Sequence, residues 1–132
     1  MRVWLAAIAA SLVSTATAAA PPDPATAAKA WAELVDKGLY AQSWSQAGTL
    51  FQAHVTEAKW ASLVATVRGP LGPLTHRSLT SEKHATSLPG VPDGDYAVLQ
   101  FASAFAHKRA AVETIALAHE PGGWRVDGYF IR

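Results

Sequence analysis

Cysteine is absent from all 132 residues, so neither a disulfide nor a thiolate metal site can hold the fold. Charge of one sign is scarce too: eleven Lys and Arg face ten Asp and Glu, with no run of like charges. That excludes a nucleic-acid groove or an anionic membrane surface as the main partner. The longest apolar run, residues 3–13, is interrupted by Ser11. It falls short of the roughly 20 apolar residues that span a bilayer. A phosphate-cradling glycine loop, a G-x-S-x-G elbow and an H-E-x-x-H pair are all missing.

What is present begins with a leader. Arg2 precedes the apolar run, and Ala16-Thr17-Ala18 offers small residues at the spacing a signal peptidase accepts. Residues 1–20 therefore read as a signal peptide and 21–132 as a single domain, periplasmic or secreted; an uncleaved anchor is the alternative. The leader carries no cysteine for a lipid anchor and no twin arginine. Its removal takes Arg2 and brings the formal charge to balance. No membrane span remains. A domain of this size must draw its stability from its core alone, burying about 60–70% of the chain's surface.

Three helices are expected first. Asp23 can cap a helix opening at Pro24, with Ala27, Trp31, Leu34 and Val35 on one face and Gly38 ending it. Tyr40, Trp44, Ala47, Leu50 and Phe51 mark a second, breakable near Gly48. Thr56 can cap a third, whose stripe is Trp60, Leu63, Val64 and Val67 and which Gly69-Pro70 stops. The period then changes to a long, exposed strand over residues 75–87. A loop dense in Pro and Gly follows over 88–94, and then three strand-like runs over 95–132 form a β-meander. The fold class is α+β, with the helices packed on a four-stranded antiparallel sheet.

The turns suggest a register in which Phe105 pairs with Ala110 and His119 with Trp124. One sheet face then carries Tyr96, Val98, Gln100, Glu113, Ile115, Leu117, Val126 and Phe130. The other carries Leu99, Phe101, Phe105, Val112, Asp127, Tyr129 and Ile131. Both are substantially apolar, whereas an exposed antiparallel sheet is polar on one side. A one-residue slip would exchange the sets. Helices can cover one face, so the other is expected to meet a small apolar ligand, a protein partner or a second copy of the chain.

Glu113 is the sharpest candidate for chemistry. In this register it stands mid-strand beside Gln100 and Tyr96. A carboxylate buried among Val98, Ile115 and Phe130 would have a raised pKa and could act as a general base. The structural alternative pairs Glu113 with Arg77 or Arg132. Arg77, Tyr96, Gln100, Glu113 and Tyr129 form the candidate ligand-binding set, and no second catalytic group accompanies Glu113. The five histidines are scattered. His76 and His84, on one strand, lie about 26 Å apart at about 3.3 Å per residue and cannot share a metal. No metal or cofactor is implied. Arg125 and Arg132 flank the last strand as guards against edge pairing, and Trp31, Trp44, Trp60 and Trp124 read as core.

These residues resemble those of the bacterial family catalogued as domain of unknown function 4019. The matching stretches are Leu34-Val35-Asp36-Lys37-Gly38-Leu39-Tyr40 with Ser43-Trp44, the turn over residues 67–72 with Arg77, and Ser87-Leu88-Pro89-Gly90 with Pro92-Asp93-Gly94. The strand half adds residues 96–101, Phe105, Lys108, Glu113, Gly123-Trp124-Arg125-Val126 and Gly128-Tyr129. The resemblance implies a cone-like α+β fold similar to nuclear-transport-factor-2-like and cystatin-like domains, a curved sheet wrapping helices. It implies no mechanism. The expected function is a small exported binding or interaction domain without catalysis. The alternatives are a cone-fold isomerase or hydrolase using Glu113 as base with Tyr96 or Arg77 as polariser, and a structural partner in an envelope assembly.

Overall fold

The computed structural model describes Ala20 and residues 22–132. Apart from Ala20, the expected leader lies outside the described residues. Helix α1, Pro24–Asp36, starts where the Asp23 carboxylate accepts from Thr26 N at 2.8 Å. It ends in a Schellman turn: Leu39 N donates to Leu34 O and Gly38 N to Val35 O. Gly38 takes φ +73°, which a side chain would resist. The buried stripe is Ala28, Trp31, Ala32 and Val35; the small alanines let α1 lie close to the sheet.

The expected second helix is two short ones, α2 Tyr40–Ser45 and α3 Thr49–His54, broken at Ala47-Gly48. Gly48 N donates to Val126 O at 2.7 Å, tying the break to the sheet. Helix α4, Glu57–Arg68, is capped by Thr56, whose hydroxyl accepts from Lys59 N. A 3₁₀ turn over Gly69–Leu71 then leads into the strands.

Strands β1 Leu74–Ala85, β2 Tyr96–Phe105, β3 Lys108–Glu120 and β4 Gly123–Ile131 form one antiparallel sheet in the order β1-β2-β3-β4. The sheet does not close, so β1 and β4 are both edges. His119 pairs with Trp124 as expected, but Phe105 pairs with Lys108, not Ala110. The β2–β3 turn is shorter than the polar run suggests, because Ala106 N is held by Pro73 O and His107 N by Leu71 O. The slip places Phe101 opposite Glu113 and Gln100 opposite Thr114. Gln100 and Glu113 therefore sit on opposite faces, which corrects the expected pairing. A bulge at Asp127 shifts β4 in turn and brings Tyr129 and Ile131 onto the Glu113 face.

The inner face, carrying Leu99, Phe101, Ile115, Leu117 and Val126, packs with the helices in one core. Trp31, Phe51, Trp60 and Tyr129 meet there edge to face or tilted. Three of the indole N–H groups find acceptors. Trp31 Nε1 donates to Ser43 O and Trp60 Nε1 to Ser43 Oγ, while Trp44 Nε1 reaches Val55 O. The outer face carries Val98, Gln100, Ala102, Val112, Thr114 and Ala116, half-buried or exposed and, Gln100 apart, small or β-branched. Among the described residues no helix is long and apolar enough to cross a membrane.

Candidate functional site

Two features stand out: a buried ionic ring and an apolar groove. Both use Tyr129. The ring lies at the Phe105 end of the inner face, where small Ser103 on β2 leaves room between β1 and β3. Arg77 of β1 extends across that gap to Glu113 of β3. Its Nε reaches Glu113 Oε1 at 2.7 Å and its Nη2 reaches Oε2 at 3.0 Å. Ser103 Oγ donates to Oε1 and the Tyr129 hydroxyl to Oε2. One side chain from each strand thus converges on a single carboxylate.

The helices close the ring. Asp36, in the last turn of α1, accepts from Arg77 Nη1 at 2.7 Å and Nη2 at 3.0 Å. Arg68, in the last turn of α4, reaches Asp36 Oδ1 at 2.8 Å and the Tyr129 hydroxyl at 3.3 Å. Its guanidinium also lies 4.7 Å over the Phe105 ring. Two arginines balance two carboxylates, so the buried cluster is neutral. Arg68 Nε alone has no partner.

Burial would push the Glu113 pKa up. The hydrogen bonds from Arg77, Ser103 and Tyr129, with the charge of Arg77, outweigh it and hold the carboxyl below its ordinary range. Arg77 responds the same way: burial pulls its pKa down, but bonds to Asp36 and Glu113 leave it raised. Burial raises the Tyr129 phenol, and the Glu113 charge beside it raises it further. All three groups are fixed in their ordinary charge states. A general base needs a free lone pair and a pKa near the working pH. Glu113 has neither, so the geometry gives it a structural task.

Of the expected ligand set, Arg77, Glu113 and Tyr129 are brought together and Tyr96 and Gln100 are not. Tyr96 is buried at the start of β2 and donates its hydroxyl to Pro92 O. Gln100 is half-buried on the outer face. Asp36, Arg68 and Ser103 were missed. Asp36 did carry a signal: a carboxylate in a helix's last turn opposes the dipole and is favourable only with a cation beside it. Among the described residues no cluster of three His, Cys, Asp or Glu could hold a metal.

The second feature is a groove of about 300 Å³ between α4 and β4, lined by Trp60, Leu63, Val64, Val67, Tyr129, Phe130 and Ile131. Leu63 and Val67 belong to the apolar stripe that the sequence places on this helix. They are each 47% exposed and Phe130 is 64% exposed. Among the described residues the remaining exposed large hydrophobics, Leu39 and Leu79, lie elsewhere. Leu63 and Val67 stand side by side on the helix wall of the groove, while the Phe130 ring lies over Gly128 on the outer face of β4, so exposed apolar surface wraps this edge rather than being scattered. The floor is Trp60 and Val64, both buried, so the groove rests on the rigid aromatic core.

No curated protein matches this chain. Over residues 27–129 it matches the family model described as protein of unknown function (DUF4019), and the chain belongs to that family.

Proposed function

We propose that this chain is a small exported binding domain without catalytic activity, and that its contact surface is the groove between α4 and β4. The observation that carries the reading is the pair of exposed apolar side chains, Leu63 and Val67, beside a floor of buried Trp60 and Val64. The likeness to nuclear-transport-factor-2-like cones would place a ligand in the concavity of the sheet. Here Arg77, Glu113, Tyr129 and the aromatic core fill that space, so the surface of interest lies at the sheet's edge. The enzyme reading loses support with Glu113, whose oxygens are fully engaged.

Binding of 4,4′-dianilino-1,1′-binaphthyl-5,5′-disulfonate, a fluorescent apolar probe, tests the surface. The expected result is saturable enhancement that Leu63→Asp and Val67→Asp each reduce at least tenfold in affinity. Equal binding by both folded variants would dismiss the groove. Fractionation of cells making the full chain tests export. Mass spectrometry of the exported form should show loss of about the first 20 residues, and a cytoplasmic chain of unchanged mass would refute it.

A further inference from the structure

The groove is more than an apolar hollow, because one of its walls is unpaired strand backbone. The two edges of the sheet are treated very differently. Strand β1 is broken by two register shifts, and its outer half carries Glu82, Lys83 and His84. Bulges and charges are the usual protection of an edge. The first half of β4 is covered instead: Val126 O is taken by Gly48 N at 2.7 Å, and Arg125 Nη1 reaches Gln46 O at 3.4 Å. The last half of β4 has neither device. Tyr129, Phe130 and Ile131 form an uncharged apolar run beside the groove.

The direction of the free groups follows from the ladder. Arg132 exchanges both backbone bonds with Val112, at 2.9 and 3.1 Å. An antiparallel ladder alternates, so Phe130 also points its N–H and C=O at β3, while those of Tyr129 and Ile131 point away. No described group outside the strands bonds to them. Across the groove stand Leu63 and Val67, one helical turn apart on α4. An edge strand with free backbone facing an apolar helix wall is the geometry that takes up an extended peptide as an added strand.

Resting on the groove reading above, we propose that its occupant is an extended segment of another polypeptide. The segment pairs with Tyr129–Ile131 as a fifth strand and turns alternate apolar side chains onto Trp60, Val64 and Tyr129. Backbone bonding to Tyr129 and Ile131 supplies the register, and the apolar floor selects the side chains. The open edge suits a segment of about four to six residues at roughly 3.3 Å each. A second copy of this chain is the poorer occupant. It would have to seat its own α4 beside the Leu63 and Val67 that already line the edge.

The test pans a phage-displayed library of random dodecapeptides on the full chain, then measures the enriched peptides, fluorescein-labelled, by anisotropy. The expected peptides carry apolar residues at every second position. Their affinity falls at least tenfold with Leu63→Asp or Val67→Asp, whose wild-type side chains are exposed enough for the fold to survive. The decisive readout uses the peptide. N-methylation at alternate backbone nitrogens, those facing β4, should abolish binding, and methylation of the intervening ones should leave it within about threefold. Binding insensitive to both methylation patterns would overturn strand addition. If no peptide is enriched while the dianilino-binaphthyl probe still binds in a Leu63-dependent way, the groove reading stands and the strand proposal falls. If neither binds, both fall. Concentration-dependent dimerisation abolished by Leu63→Asp would assign the edge to a second copy and likewise overturn the proposal.

Discussion

Arg77 on β1 holds both oxygens of Glu113 on β3, passing over Ser103 on the strand between them, at 2.7 and 3.0 Å. The pair has no direct strand contact, since β1 and β3 are separated by β2. It therefore joins elements that ladder hydrogen bonds cannot join. Through Asp36, Arg68 and Tyr129 it extends to α1, α4 and β4.

Breaking that pair from one side should be costly. Glu113→Gln leaves two buried arginines facing only Asp36, and Arg77→Met leaves Glu113 without its cation. Each is expected to lower unfolding stability by about 3 kcal/mol, read from urea denaturation midpoints. The double replacement Arg77→Met with Glu113→Leu keeps the neutral Arg68–Asp36 pair. It should cost clearly less than the sum of the singles. Strict additivity would show that the two side chains do not act as a unit.

The helix stage of this fold was legible because its signals are local. Asp23, Pro24 and Gly38 act on residues within five positions, and each does what its type does at a helix end. The sheet face was misassigned for the opposite reason. The β2–β3 turn is fixed by Pro73 and Leu71, about thirty residues upstream, and nothing near Ala106 announces that. The expected register puts Val126 and Tyr129 on opposite faces of β4; the bulge at Asp127, which caps α3 through Phe51 N at 3.3 Å, brings them onto one. The Arg77–Glu113 pairing is one that the sequence itself offers. The parts of Arg68 and Asp36 are hidden in it, because their positions at helix ends suggest only local roles.

Gly48 is required by space rather than by dihedral angle, since its φ of −75° suits any residue. A Cβ there would lie 2.2 Å from Asp127 Oδ1 and 2.8 Å from Glu120 Oε2. Gly48→Ala should therefore displace the Asp127 cap and cost roughly 2 kcal/mol. Asp127→Ser, with its shorter side chain, should recover part of that loss in the double variant. Thermal melts of the three proteins measure it, and an unchanged midpoint for Gly48→Ala would contradict the packing described.

Phe130 should contribute little to folding despite its size. At 64% exposed it is nearly free of the core, so Phe130→Ser is expected to change stability by no more than about 0.5 kcal/mol. A loss of several times that in denaturant would mean that Phe130 belongs to the fold, and that the groove's rim is built for stability.

The Asp127 and Glu113 carboxyls are shifted in opposite directions from their ordinary ranges, and the difference can be read as pH dependence. Burial raises the Asp127 pKa above its ordinary 3.8, and the Glu120 charge adds to it; the amides of Phe51 and Leu50 only partly compensate. The folded state thus holds the Asp127 proton more tightly than the unfolded chain does. Stability from this group is greatest at low pH and declines as pH rises from 3.8 through the raised folded value. Glu113, lowered from 4.5, contributes above that value, and its share is lost as pH falls through the depressed folded value. At neutral pH, Asp127 Oδ2 is a buried oxygen without a donor. Asp127→Asn keeps an acceptor for Phe51 N, removes the repulsion with Glu120 and replaces the orphan oxygen by a donor. It should stabilise the protein by about 1 kcal/mol at pH 7, and the gain should vanish near pH 3, where the wild-type carboxyl is protonated. Urea titrations of both proteins at the two pH values decide it. A gain of equal size at both would show that the carboxylate's charge is not the source of the strain.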